Sequence, residues 1–243
     1  MVWLLSNHCW YHHTYSCFLR CRAFYIVTNA SEDRVLLINK PLEWTSFDVV
    51  RKVRGILKMK KVGHAGTLDP LATGLLILCT GKMTKRIEEF QAQEKEYTGK
   101  MIIGQTTPSY DLETEPTEPV SYSHISDKEI LAAAKVFEGE IDQVPPLHSA
   151  IKVDGKRAYQ LARAGKEAEL KSRKVTISKF EITAISLPEV SFRVVCSKGT
   201  YIRSLARDFG VELGVGAYLA ELCRTRIGDF TLKDATSLEE LAQ

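Results

Sequence analysis

The sequence has no apolar run approaching the roughly 20 residues needed to cross a bilayer, and Arg20 and Arg22 interrupt its aromatic-rich start. That argues against an integral membrane protein. It also has no GxGxxG, HExxH or paired CxxC, so nucleotide cofactors and zinc catalysis find little support. A phosphate-cradling loop fails as well. Six residues rather than four separate Gly74 from Gly81, and Met83 rather than Ser or Thr follows Lys82. Neither sign of charge dominates, the net being only +3 over 243 residues, yet the charges are segregated. From Arg51 to Leu68 there are six Lys or Arg and no acid, whereas Asp111 to Asp142 is predominantly acidic. Such asymmetry fits a basic face for a polyanion, although a Lys-rich stretch alone more often marks a solvated helix face.

Cysteine is limited to six residues. Cys79, Cys196 and Cys223 fall in apolar or helical contexts, as reduced thiols of a cytoplasmic protein do. Cys9, Cys17 and Cys21 share the N-terminal stretch with His8, His12 and His13, but their spacing matches none of the paired zinc patterns. The same stretch lacks the basic start, apolar centre and small-residue cleavage site of a secretory signal. Residues 1–29 are therefore expected to be a poorly ordered extension or sequence upstream of the true start, and residues 30–243 a single domain.

Val35-Leu36-Leu37-Ile38 reads as a buried strand ended by Lys40-Pro41. Thr45 with Asp48 forms a capping box, after which Val49, Val50, Val53, Ile56 and Leu57 recur at helical spacing. Leu75 to Cys79 and Tyr97 to Ile103 read as further strands. Ser126 with Glu129 opens a helix that Gly139 should end, and Asp154-Gly155 has hairpin-turn chemistry. Val190, Phe192, Val194 and Cys196 alternate as the better-buried face of a strand, and Thr200 opens a helix with Ile202, Leu205, Ala206, Phe209 and Leu213 inward. A short capped helix follows Ser237. Strands and helices mixed without a regular βαβ repeat place the chain in the α+β class.

Gly63-His64-Ala65-Gly66-Thr67-Leu68-Asp69-Pro70 is a shaped loop, with Asp69 biased toward extended backbone by Pro70. An isolated Asp-Pro more often marks an Asx-turn than a catalytic acid. The longer run Gly63 to Leu76, however, resembles the catalytic motif of TruB-type pseudouridine synthases. It is joined in order by Lys40-Pro41 with Thr45-Ser46, Lys95-Glu96-Tyr97, Pro145-Pro146 through Ser149-Ala150-Ile151-Lys152, and Cys196 through Arg203. The resemblance spans about residues 34 to 230.

The resemblance implies a pseudouridine synthase fold, with a mixed, mainly antiparallel sheet flanked by helices around a central RNA-binding cleft. It implies isomerisation of the uridine at position 55 in the tRNA T loop, by base flipping and without metal or organic cofactor. Asp69 would be the nucleophile, Arg203 its ion-pair partner, and Tyr97 the residue that stacks on the target base and removes its proton. Tyr201 and Leu222 would line the same pocket, and His64 would fill space near the flipped nucleotide. Lys40, Lys152 and the basic helix from Arg51 to Lys61 would follow the RNA backbone, where phosphate contacts add affinity without reading sequence. A surface cation for Arg203, a core aromatic for Tyr97 and Leu222 in the core are the plain structural alternatives.

Against the family pattern, Glu43 replaces the usual glycine and Ala65 a common threonine. The chain is expected to carry no C-terminal PUA domain, which disfavours the guide-RNA-dependent relatives, and to act as a monomer. A pseudouridine synthase acting on another RNA, or an RNA-folding factor acting on the tRNA elbow, are the rival readings.

Overall fold

The computed structural model describes residues 33–149 and 170–243, the backbone of short strands at 26–27, 152–153 and 156–157, and Ala158. The strands are β1 (Ile26–Val27), β2 (Arg34–Lys40), β3 (Val62–His64), β4 (Ala72–Thr80), β5 (Lys95–Ile103), β6 (Gly139–Gln143), β7 (Lys152–Val153), β8 (Lys156–Arg157), β9 (Arg173–Ser186), β10 (Glu189–Cys196), β11 (Ala217–Ile227) and β12 (Phe230–Thr231). The helices are α1 (Ser46–Leu57), α2 (Ile87–Ala92), α3 (Asp127–Val136), α4 (Ile202–Glu212) and α5 (Leu238–Leu241). The α+β class expected from the sequence is therefore present. No helix among the described residues is long and apolar enough to cross a membrane.

Ten of the described strands form one sheet in the order β1-β2-β4-β11-β5-β10-β9-β6, with β3 also pairing β4 and β12 also pairing β11. Every pairing is antiparallel except β4 with β11, which run parallel through Leu222↔Ala72, Cys223↔Thr73 and Arg224↔Gly74. This seam divides the molecule into two lobes. In the first, β4 lies between β2 and β11, and both of its faces are covered by packed side chains, so it reads as a continuous apolar run. Leu76 and Leu78 meet Val49, Val50 and Val53 of α1 and Leu238 of α5. The alternate residues Leu75, Ile77 and Cys79 meet Met83 and Phe90 on the other side.

The second lobe packs α3 and α4 on β5, β9, β10 and β11. Ile130, Ala133, Leu205, Ala206 and Phe209 close on Met101, Phe180, Phe192 and Val194. The Phe180 ring meets Phe137, Phe192 and Phe209 edge-on at 6.4, 5.9 and 5.8 Å. That is the preferred geometry for aromatic quadrupoles.

The three expected capping boxes are formed. Thr45 and Ser126 open α1 and α3, and Ser237 opens α5, each with reciprocal bonds to the carboxylate three residues on. Two expectations need correction. The basic helix stops at Leu57, because Lys58 turns into the left-handed region at φ 52° and donates its N–H to Arg54 and Gly55; Lys58, Lys60 and Lys61 therefore belong to the following turn. α4 begins at Ile202 rather than Thr200. β7 and β8 pair antiparallel, Lys152 with Arg157 and Val153 with Lys156, while the Asp154-Gly155 turn itself lies outside the described residues. So does the expected extension at 1–29, apart from Ile26–Val27, which pairs with Val35 and Arg34 of β2. The cysteine and histidine cluster of that stretch is likewise undescribed.

Candidate active site

The loop 65–71 enters β4 at the seam, where the backbones of β4 and β11 approach closely. A Cβ on Gly74, whose φ is 100°, would lie 2.4 Å from the Arg224 carbonyl oxygen. The loop is fastened from three sides. The Ser46 hydroxyl, at the start of α1, accepts a hydrogen bond from the Leu68 N–H at 2.9 Å and donates to the Leu68 carbonyl at 3.1 Å. Lys40, at the end of β2, donates from Nζ to the Pro70 carbonyl at 3.3 Å, and the Glu43 N–H donates to the same oxygen at 2.9 Å. From β11, the buried Arg224 donates to the carbonyls of Leu75, Thr67 and Gly66 at 2.8, 3.4 and 3.3 Å. Backbone held this way presents the Asp69 side chain in one place.

Asp69 Oδ2 lies 2.9 Å from Nη2 of Arg203. The arginine side chain is only 4% exposed, against 41% for the aspartate. The guanidinium also reaches Asp111 Oδ2 from Nε at 3.4 Å, the Ser109 carbonyl from Nη1 at 3.2 Å and the His148 carbonyl from Nη2 at 2.9 Å. Two carbonyl acceptors and two carboxylates around it fix the planar fork, and the fork in turn fixes Asp69. Desolvation pushes the Asp69 carboxyl above the usual carboxylate range; Arg203 opposes that rise, and the Asp111 charge adds to it.

Asp69, Tyr97, Tyr201, Arg203 and Leu222 line a single cavity of about 850 Å³. Tyr97 projects from β5 opposite Arg224 of β11. Burial raises the Tyr97 phenol above its ordinary value, and the Arg224 guanidinium opposes the rise. The cavity thus joins an oriented carboxylate, a buried phenol and an apolar wall at Leu222, which is what nucleophilic attack on a flat heterocyclic nucleoside requires.

The family model for TruB family pseudouridylate synthase (N terminal domain) matches residues 54–202, and that for the tRNA pseudouridylate synthase B C-terminal domain matches residues 203–243. The chain belongs to the TruB family. It is 58% identical over 214 residues to the tRNA pseudouridine synthase B of Flavobacterium johnsoniae, covering 85% of this chain and 93% of that protein. It is 53% identical over 222 residues to the protein of the same name from Phocaeicola vulgatus, covering 88% and 94%. Among solved structures, it resembles a chain of a Cbf5-Nop10-Gar1 complex with a TM-score of 0.68 and 32% identity, over 86% of this chain and 53% of that one. It therefore spans about half the length of that larger protein.

Two of the residues expected to meet RNA in this TruB chain, Lys40 and His64, are not among those lining the cavity. Lys40 is fully buried. Its ammonium donates to the carbonyls of Pro41, Trp44 and Pro70 at 2.8, 2.6 and 3.3 Å, and burial lowers it to about 8. An ammonium enclosed by three carbonyls cannot follow a phosphate backbone, so the expectation of RNA contact is corrected to one of loop support. His64, on β3, stands outside the cavity; its Nδ1 is buried without a partner and burial lowers its basicity. The Lys152 side chain lies outside the described residues.

Sequence reasoning passed over Asp111, Arg224 and Lys95. Asp111 lay in a stretch read only as acidic. Arg224 lies beyond the quoted motifs, and its one available signal was an arginine within an otherwise half-buried strand. Lys95, quoted only as part of a motif, lines the cavity, and its ammonium donates to the Gln91 and Gln93 carbonyls, both at 2.5 Å.

Proposed function

We propose that the chain is a tRNA pseudouridine synthase that isomerises the uridine at position 55 of the T loop, with Asp69 as nucleophile. The observation that carries this reading is the ion pair between Asp69 and the buried Arg203, set in a cavity walled by Tyr97, Tyr201 and Leu222. A module that only bound or refolded RNA would have no use for a cavity-facing carboxylate held by a buried guanidinium.

The reaction conserves every atom. The C1′–N1 bond breaks, a C1′–C5 bond forms, the C5 proton leaves, and N1 ends with a proton. Nothing is oxidised or reduced, so a nucleophile, a base and a closed pocket suffice, without metal or organic cofactor. Arg203 favours the ionised Asp69 and opposes the desolvation that favours the acid. Tyr97 stacks on the base and, as the phenolate that the Arg224 guanidinium favours and that burial makes more basic, takes the C5 proton to become the phenol, which can return a proton to N1. The cavity walls retain the detached uracil while it rotates. A uridine within a folded arm must be extruded to reach Asp69, so the partner is the T arm of tRNA, read by shape. The enzyme acts as a monomer in the cytoplasm, without guide RNA.

The test is pseudouridine formation at every position of an unmodified tRNA transcript, read by chemical labelling and primer extension, with wild type and Asp69→Ala. Product confined to the T-loop uridine with wild type, and absent with the variant, is the expected result. Product elsewhere would overturn the substrate, and tRNA binding without product would favour the folding-factor reading.

A further inference from the structure

The cavity that holds Asp69 is also lined by a group of cations that the isomerisation itself does not use. Lys95, Arg173, Lys174 and Lys198 line the same space. Lys174 is neutralised by Glu140 at 2.6 Å, and Lys95 is tied down by the two carbonyls named above. Arg173 differs from both. At the first position of β9, its Cζ stands 4.4 Å from the centroid of the Tyr201 ring, within the range of a cation–π contact. Its Nη2 donates to the Gly199 carbonyl, and its Nε is buried without a partner. No carboxylate among the described residues pairs with it, whereas Arg193, Arg203 and Arg226 each hold one. The ring and the carbonyl thus fix the guanidinium plane while leaving its charge and part of its hydrogen-bonding capacity unused.

Given the RNA substrate proposed above, on which this inference rests, we infer that Arg173 is a phosphate clamp for the extruded nucleotide. An anion with several acceptor oxygens, carried into the cavity by the substrate, would meet the uncompensated guanidinium directly. Extrusion of a nucleotide brings its own flanking phosphates to the cavity mouth, and an arginine already ordered by stacking loses little side-chain freedom on binding them. The same stack holds Tyr201 as a wall of the base pocket, so the clamp and the pocket are positioned as one unit. Arg173 is a binding and positioning residue; it moves no proton.

Binding of unmodified tRNA transcript, measured between 50 and 200 mM salt in an Asp69→Asn background, tests the proposal. Arg173→Gln should reduce the slope of log K against log salt by about 0.7 to 0.9, the share of one phosphate contact. Arg173→Lys should restore the slope, and Lys128→Gln, on the exposed face of α3, should leave it unchanged. A methylphosphonate at one phosphate flanking the target uridine should produce the same loss with Arg173 intact, and no further loss with Arg173→Gln. That arm holds even where the Arg173 variant folds poorly, because the substitution is then in the RNA. An unchanged slope in a folded Arg173→Gln, or losses that add, would overturn the clamp while leaving the enzyme's function standing. A wild-type protein that forms no pseudouridine would overturn the functional reading and the clamp with it.

Discussion

At the scale of single residues, the site depends on one guanidinium set between two carboxylates and two carbonyls. Asp69 and Arg203 were legible in the sequence because both lie in contiguous motifs whose spacing carries the resemblance. Asp111 was not, since nothing local distinguishes it from the acids that follow, and only the fold carries it to Arg203. Lys40 was misread because a lysine beside a proline gives no sign that three carbonyls converge on it. Arg203→Lys keeps the charge but cannot reach Asp69, Asp111 and two carbonyls together. It is expected to lower single-turnover kcat by about 100-fold or more, on the scale of an ångström-sized misplacement of a reacting group, with a much smaller change in tRNA affinity. Asp111→Asn tests the same bridge from its far side and should also act on kcat. The pH profile separates the two. Asp69 must be ionised, so the rate rises with pH through its folded pKa; Arg203 lowers that value and Asp111 raises it. Arg203→Gln, which removes the charge, should therefore move the acid limb to higher pH, and Asp111→Asn should move it lower. Identical limbs in Arg203→Gln and Asp111→Asn would show that neither charge tunes Asp69.

At the scale of elements, the helices were read well and the sheet only in part. The capping boxes of α1, α3 and α5 are local patterns, each complete within four residues, and local patterns survive in one sequence. β2, β4, β5 and β10 were found through their apolar runs or alternation. β9 and β11 were not: β9 exposes much of its length, and β11 carries Glu221, Arg224 and Arg226 among its apolar residues. The parallel seam between β4 and β11 joins distant parts of the chain and leaves no local signature, yet it places the loop that carries Asp69. The turn between β2 and α1 explains one departure from the family pattern. Glu43 adopts φ 65°, a left-handed conformation that costs a side-chain-bearing residue about 1 kcal/mol or more, which is why glycine is usual there. Its N–H still reaches Pro70, so the turn keeps its function at some cost in stability. Glu43→Gly is expected to stabilise the protein by about 1 kcal/mol, a gain of roughly 2 to 4 °C in Tm for a chain of this size, with kcat unchanged. A lower Tm would mean that the side chain contributes contacts outweighing its backbone strain.

At the scale of the molecule, the charge segregation seen in the sequence resolves into distinct uses. Arg51 and Lys52 are displayed on the outer face of α1, whereas part of the acidic stretch is paired: Asp111 with Arg203, Glu129 with the α3 cap, and Glu138 and Glu140 with Lys135 and Lys174. The costly charges are the ones drawn inward, and they give stability a distinctive alkaline response. Lys40 has a folded pKa of about 8 against an ordinary 10.5. Below pH 8 it is protonated in the folded and unfolded states alike, and its buried ammonium is an unfavourable part of the folded state. Between about 8 and 10.5 the unfolded chain holds a proton that the folded protein has released, so this residue's contribution to stability rises with pH. Cys79 and Cys196 act in the opposite sense, because burial raises both to about 11 from 9.0, and the unfolded thiols ionise first. The thiols are common to wild type and Lys40→Met, so the difference between the two proteins isolates the lysine. At pH 7, Lys40→Met should cost about 1 to 3 kcal/mol in urea unfolding, because the enclosed carbonyls lose their donor. That deficit should widen steadily from pH 8 to 10.5. A deficit that stays constant across the window would show that the three carbonyls hold the ammonium charged as strongly as water does, and that burial of Lys40 carries no electrostatic cost.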